Sequence, residues 1–288
     1  MEIVYVFIGK LPYYILETVH QARLFSNDKI TLIYDDLESP LLPALQQFNV
    51  NLVNYADCID TDFVEAVNAN LKKFCIAPHL GDRKLLFIRS FERFYVLRKY
   101  MEKTGAEHIL FLELDVLLYF HPSQFFPKLK ERDISFSFVS KDAICSGICY
   151  VKNTEILKCL TDCFTQYIVT AGPTIFVNEM SALKTFLETP EYKKRSWILP
   201  SLWKDTRYSE DLYEHFDLFD QSLFDGAGIA IAMDGPDECH RKQWLENGKV
   251  WWGTEVRYNE FSYEWREENG NRVVYAKPSK DSAEAYKV

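Results

Sequence analysis

Glycine is scarce in this 288-residue chain, and it is missing where several nucleotide-binding classes need it. The first predicted strand, Ile3–Ile8, is followed by Gly9-Lys10-Leu11-Pro12. No Gly-x-Gly-x-x-Gly stands there, which argues against a nicotinamide-dependent dehydrogenase. The same segment is too poor in glycine for the basic, glycine-rich loop of an enzyme that makes nucleotide sugars. Positive charge is also short: 33 Lys and Arg face 42 Asp and Glu, for a net charge of −9. A non-specific nucleic-acid binder is expected to carry a basic surface, so no nucleic-acid partner is predicted. No apolar run reaches the ~18 residues that mark a membrane-crossing helix, so no transmembrane segment is predicted. Met1-Glu2 puts an acid where a secretory leader wants a basic region. The N-terminus therefore reads as a first core strand, and the expected compartment is cytoplasmic.

Seven cysteines is an odd number and, without an export signal, predicts reduced thiols. Cys145 and Cys149 fall in an apparent strand, where four residues span ~13 Å, too far for one zinc ion. Cys159 and Cys163 fit one helix face, where small thiols commonly pack. No internal repeat or low-complexity linker is visible. A single domain is expected over 1–278, with a nucleotide-binding half (1–120) and an acceptor-binding half (121–278). The polar tail 279–288 is expected to fray.

What is present is a large apolar fraction, 48% of residues, patterned as alternating strands and helices. Ile3–Ile8, Lys29–Tyr34 and Val50–Asn54 read as strands. Tyr13–Ser26, Pro40–Phe48, Phe63–Phe74 and Phe87–Lys103 read as helices. In the last of these Phe91, Phe94, Tyr95, Leu97 and Tyr100 form much of one apolar face. Ile109–Leu112 is a fourth strand. This order predicts an α/β fold with a doubly wound, mostly parallel sheet and helices on both faces. The second half is less regular, with strands over Ile134–Val139 and Ile144–Val151 and helices over Thr154–Tyr167 and Ser181–Glu188.

The most informative stretch is Ile109-Leu110-Phe111-Leu112-Glu113-Leu114-Asp115-Val116. Two acids sit inside an apolar run, although charged side chains are rarely buried unless paired or bound to a cation. In an extended chain Glu113 and Asp115 share a face, roughly 6–7 Å apart. That suits two oxygen ligands reaching one Mg²⁺ or Mn²⁺. Pairing with a nearby Lys or Arg is the alternative. Ligands of doubly wound sheets bind beyond the carboxyl ends of the strands, and Gly9, Asp35, Asp36, Glu113 and Asp115 all fall there.

Four short motifs stand in order: Ser90-Phe91-Glu92-Arg93-Phe94, Leu112-Glu113-Leu114-Asp115-Val116, Asn178-Glu179-Met180 and Phe224-Asp225-Gly226-Ala227. In these the chain resembles a poorly characterised group of glycosyltransferases with the GT-A fold, over roughly residues 1–240. It departs from that group's usual pattern at Leu114, where a polar residue is usual, and its first acid is Glu113 rather than the Asp of the commoner Asp-x-Asp form. The resemblance implies transfer of a sugar from a nucleotide-diphosphate donor to the hydroxyl of a glycan or other acceptor, a lipid-linked one included. It also implies a Mn²⁺ or Mg²⁺ cofactor and an inverting mechanism.

The resemblance further implies a set of roles. Asp115 would be the direct metal ligand, and Glu113 would bind the metal or a donor hydroxyl. Val6, Phe7, Ile8 and Gly9 would line the base of the donor, and Asp35 or Asp36 could reach the nucleoside. Arg93 would pair with phosphate or with the carboxylates, or form a structural ion pair. Ser146-Gly147 would face the donor sugar on its acceptor side, or simply be a tight strand pair. Glu179 is the candidate base for the acceptor, with Asp225 second. An acid in a first helical turn can instead be a dipole partner. Asp225-Gly226-Ala227-Gly228 could alternatively form a backbone turn facing sugar or phosphate. His240, and less strongly His215, are candidates for a further metal ligand. Trp203, Tyr208, Trp251 and Trp252 are candidates for stacking on sugar rings. The rival reading, from another class, is a GT-A-like domain without activity that binds carbohydrate or a protein.

Overall fold

The computed structural model describes residues 1–75, 84–140, 143–200, 217–219, 222, 224, 261–268, 271–278 and 286–287. The chain is a mixed α/β protein built on one large sheet. Strands β1 (Glu2–Phe7), β2 (Ile30–Tyr34), β3 (Val50–Asn54) and β4 (Ile109–Leu112) lie parallel in the order β3-β2-β1-β4. β1, β2 and β4 are almost unbroken apolar runs, as expected where both faces are covered, whereas the edge strand β3 carries two asparagines and is mostly half-buried. In β4 all four residues are buried.

Helices cover the two faces. α1 (Ile15–Phe25), α2 (Leu42–Gln47) and α5 (Pro122–Leu129) pack on the face bearing Ile3, Tyr5, Leu110 and Leu112. α3 (Thr61–Asn70), α4 (Lys84–Thr104), α6 (Thr154–Thr170) and α7 (Glu179–Glu188) pack on the face bearing Val4, Val6, Ile109 and Phe111. α8 (Pro190–Arg195) follows α7 directly. The helix starts have local causes. Asp60, Asn153 and Asn178 each accept a backbone N–H of the first turn of α3, α6 and α7. Asn178 at this cap places Glu179 as the first helical residue of α7.

The second half of the sheet reverses direction. β7 (Ile148–Val151) runs antiparallel to β4 and closes its free edge. β5 (Ile134–Ser140) pairs with β7, β6 (Ala143–Cys145) and β8 (Ser196–Leu199), the last of these in parallel. Four of the seven pairings are parallel, all three in the first half and β5 with β8 in the second. The predicted strand over Ile144–Val151 is thus two strands, broken at Ser146-Gly147.

Near the end of the chain β9 (Phe261–Glu268), β10 (Asn271–Pro278) and β11 (Tyr286–Lys287) form an antiparallel sheet in the order β11-β10-β9. The helices α5 and α8 were not read from the sequence. Both are short and begin at proline, whose fixed φ suits a first helical turn.

The core between α4, α6 and the sheet is aromatic. Phe94 lies 5.5 Å from the ring of Phe111 and 5.6 Å from Phe164, and is fully buried. Removing it leaves a cavity that neither the sheet nor the helices can close. Phe94→Ala is expected to cost about 3–5 kcal/mol, read as a lower urea midpoint. A loss below about 1 kcal/mol would show that the site collapses freely.

Candidate functional site

The site lies at the carboxyl ends of β1, β2 and β4 and is held by short-range bonds at each. After β1, Gly9 has φ +135°, a backbone conformation that favours glycine. Its N–H donates to Asp35 Oδ1 at 2.6 Å, and the N–H of Leu11 donates to Asp36 Oδ2 at 3.0 Å. Asp35 and Asp36 therefore fix the loop after β1, leaving one oxygen of each carboxylate outside these bonds. Of the β1 residues expected to line a base, Val6 is buried, while Phe7 and Ile8 are half-buried near the loop.

β4 stops at Leu112, one residue before the first acid. The two acids therefore stand on the turn beyond the strand rather than within it. The Glu113 N–H donates to Gly147 O at 2.9 Å, and the Val116 N–H donates to Glu113 O at 3.1 Å. An in-and-out alternation persists: Leu114, Val116 and Leu118 are buried, Glu113 is half-buried and Asp115 is exposed. Leu114 points into the core under α1, so it does not separate the two carboxylates.

Arg93 is the centre of the arrangement. It projects from α4, its Cζ 5.5 Å from the ring centre of Phe111 on β4. Nη1 donates to Glu113 Oε1. Nη2 donates to Ser146 Oγ at 2.9 Å and to Glu179 Oε1 at 3.2 Å. The Ser146 hydroxyl in turn donates to Glu179 Oε1 at 3.1 Å. Four chain segments (α4, the β4 turn, the β6–β7 link and the start of α7) thus meet on one guanidinium. Its side chain is 14% exposed and that of Glu179 is 9% exposed. Burial alone would lower the Arg93 pKa; Glu113 and Glu179 outweigh it and hold the group charged.

The acids respond to the same surroundings. Burial pushes the Glu179 carboxyl up, against the opposing pull of Arg93 and the hydrogen bonds of Ser146 and Ser90. Asp115 is also raised, first by partial desolvation and then by the charge of Glu113. Tyr14, the residue before α1, is raised by burial and by Asp115 and Glu113, which places its phenol within their field. Among the described residues Arg93 is the cation bonded to Glu113 and Glu179, and Asp115 makes no ion pair with it. No group of three or more His, Cys, Asp or Glu side chains is arranged for a metal among the described residues.

The predicted residues thus divide. Arg93, Glu113, Ser146 and Glu179 form one bonded network, and Gly147 joins it through its carbonyl. Asp115 stands beside it with an open carboxylate. Gly9, Asp35 and Asp36 form a second bonded set at β1 and β2. Asp225, Gly226, Ala227, His240, His215, Trp203, Tyr208, Trp251 and Trp252 lie outside the described residues. Cys145 and Cys149 are buried, and burial raises both thiols. Sequence reasoning missed the pairing of Arg93 with Glu179. Nothing local signals a contact across 86 residues.

No family model and no curated protein matches the chain. Among solved structures, it is similar to the PaToxG glycosyltransferase, with TM-score 0.41 and 13% identity over 66% of this chain and 69% of that one. It is also similar to a cytidylyltransferase from Leptospira borgpetersenii serovar Hardjo-bovis, with TM-score 0.40 and 8% identity over 89% of this chain and 98% of that one. A third is a protein from Desulfovibrio desulfuricans G20 provisionally named a nucleotide-diphospho-sugar transferase, with TM-score 0.40 and 10% identity over 78% and 98%. At such TM-scores none of the three fixes an activity or a substrate for this chain.

Arg93→Met would leave Glu113 and Glu179 uncompensated in a partly buried site. A loss of about 3–5 kcal/mol is expected at pH 7.5, largely restored when both acids are also changed to Gln. A single variant as stable as the parent would rule out this network as a structural centre. For Asp115 the sign runs the other way. Its pKa is raised in the folded chain, so the ionised carboxylate disfavours the fold at neutral pH. Asp115→Asn is expected to raise the melting temperature at pH 7.5. The gain should disappear as pH falls through the carboxylate range, where folded and unfolded Asp115 are both protonated. Its size should stay below about 1 kcal/mol because the side chain meets solvent.

Proposed function

We propose that the chain is a GT-A-like glycosyltransferase, moving a sugar from a nucleotide-diphosphate donor to the hydroxyl of a glycan or other acceptor, lipid-linked acceptors included. One observation carries this reading. The open carboxylate of Asp115 stands at the carboxyl ends of the parallel strands, beside acids that one arginine only partly compensates. Such a concentration of acids repels a free diphosphate and attracts a cation.

The donor set fits a hard divalent ion. Mg²⁺ is commonly held by one or two carboxylates, with phosphate oxygens and water completing its shell. Asp115 would hold Mn²⁺ or Mg²⁺, with the second oxygen of Glu113 as the other protein ligand. Bound there, the ion would supply Lewis-acid stabilisation to the departing diphosphate. The remaining work falls to this chain's own groups. The loop held by Asp35 and Asp36 would take the nucleoside against Phe7, Ile8 and Gly9. Arg93 would position Glu113 rather than touch phosphate, since both its Nη atoms are committed to Glu113, Ser146 and Glu179. Ser146-Gly147 would close the donor-sugar side.

In an inverting reaction a carboxylate must take the acceptor proton as the new bond forms. Glu179 is buried, and its Oε1 accepts from two donors. In this reading it acts as a positioning residue, and the base role passes to Asp225. Asp115, by contrast, is open and ready to meet a ligand.

Purified protein incubated with UDP-, GDP- and dTDP-sugars is expected to release nucleotide from one donor when Mn²⁺ is present. Asp115→Ala should lower that rate by about 10²–10³-fold, the range typical of a lost charge-stabilising group. Release of pyrophosphate from a nucleoside triphosphate and sugar phosphate would instead mark an enzyme that makes nucleotide sugars. No nucleotide binding by calorimetry, with or without metal, would sink the transferase reading and leave a binding domain.

A further inference from the structure

The acidic turn is not held by β4 alone. Between Glu113 and Phe120 the chain has no regular structure, yet it must hold Asp115 at a fixed place. Two side chains of α1 reach across to it. The buried Thr18 hydroxyl donates to the carbonyl of Leu114, immediately before Asp115. Gln21, one turn along the same helix, donates from Nε2 to the carbonyl of Leu118 at 3.0 Å. These carbonyls bracket Asp115 on both sides. They have left the β4 ladder, so without α1 they would be unpaired beside an apolar core. Leu114, Val116 and Leu118 pack into that core from the same strip, so the helix satisfies the polar side of a segment whose apolar side is already fixed.

We infer that Thr18 and Gln21 are positioning residues for Asp115, acting through the backbone of residues 114–118. The inference rests on the proposed metal role of Asp115 for its functional half, while its structural half stands alone. A threonine and a glutamine at i and i+3 on α1 are ordinary helix residues in the sequence. Only the 96- and 97-residue contacts give them a task.

The test compares Thr18→Val, which keeps the shape and removes the hydroxyl, with Thr18→Ser, which keeps the hydroxyl. Gln21→Met serves as a second, partly exposed probe should the valine variant fold poorly. Two readouts are needed on the full chain: residue-resolved amide exchange at Val116, and Mn²⁺ affinity by titration. Thr18→Val is expected to speed Val116 exchange and weaken Mn²⁺ binding, each by about five- to tenfold, the factor one hydrogen bond is worth. Gln21→Met should act in the same direction. Thr18→Ser should restore both. Parental exchange and affinity in both Thr18→Val and Gln21→Met would overturn the inference. So would equal behaviour of Ser and Val, because shape and not the hydroxyl would then matter. If the parent chain binds no Mn²⁺ while exchange still responds, the metal role fails and the anchoring of the turn stands.

Discussion

The guanidinium of Arg93 is the fixed point to which the rest of the site is referred. It reaches Glu113 and Glu179 from one buried position, and Ser146 accepts from the same Nη2 that meets Glu179. Buried ion pairs often add little net stability, because desolvation offsets most of the attraction. They do impose geometry, since any other arrangement leaves a charge stranded. Here the geometry ties a helix, a strand end, the link between β6 and β7 and a helix start to a common centre. The aromatic rings of Phe94 and Phe111 flank the cation and restrict where it can go. The position of Glu113, and through the turn that of Asp115, follows from a side chain twenty residues away.

A different set of polar contacts secures the opposite end of the sheet. Glu2 Oε1 accepts from Thr31 at 2.6 Å, from Tyr100 at 2.6 Å and from Lys29 at 3.1 Å. Arg98 ties Asp60 to Thr161 and so joins α3, α4 and α6. These networks join elements away from the carboxyl ends of the parallel strands. At those ends the charges of Glu113 and Asp115 stand close enough to raise the Asp115 carboxyl. Uncompensated charge at a strand end is a local cost that the surrounding core has to offset.

Much of this was readable before any coordinates. The parallel half of the sheet was clear because buried strands such as Ile109–Leu112 are short apolar runs between helices of strong period. The site end was clear because Gly9, Asp35, Asp36, Glu113 and Asp115 all followed such runs. What stayed hidden was partnership. Asp35 and Asp36 look like ligands for a nucleoside, yet each has one oxygen engaged by the loop after β1. Glu179 looks like a base at a helix start, yet it is buried against Arg93. Thr18 carries no signal at all. Sequence patterns report which face a residue takes, but not which distant group it meets there. The terminal strands β9 to β11 were missed because aromatic and charged residues are interleaved in β9, and the apolar run of β10, Val273–Ala276, stands in a segment rich in charge.

The place of β7 has a consequence for how the chain is made. Strand β4 is apolar on both faces and has β1 on one side, while its other edge is paired with β7, which is translated later. Glu179, the second partner of Arg93, follows later still. On a ribosome moving at about 5–20 residues per second, the first half therefore waits for seconds with an unpaired hydrophobic edge and a poorly neutralised arginine. Such an edge invites pairing with other nascent chains. A truncated protein ending near residue 120 would keep that exposure permanently, so the first 120 residues are a poor choice for expression as an isolated fragment.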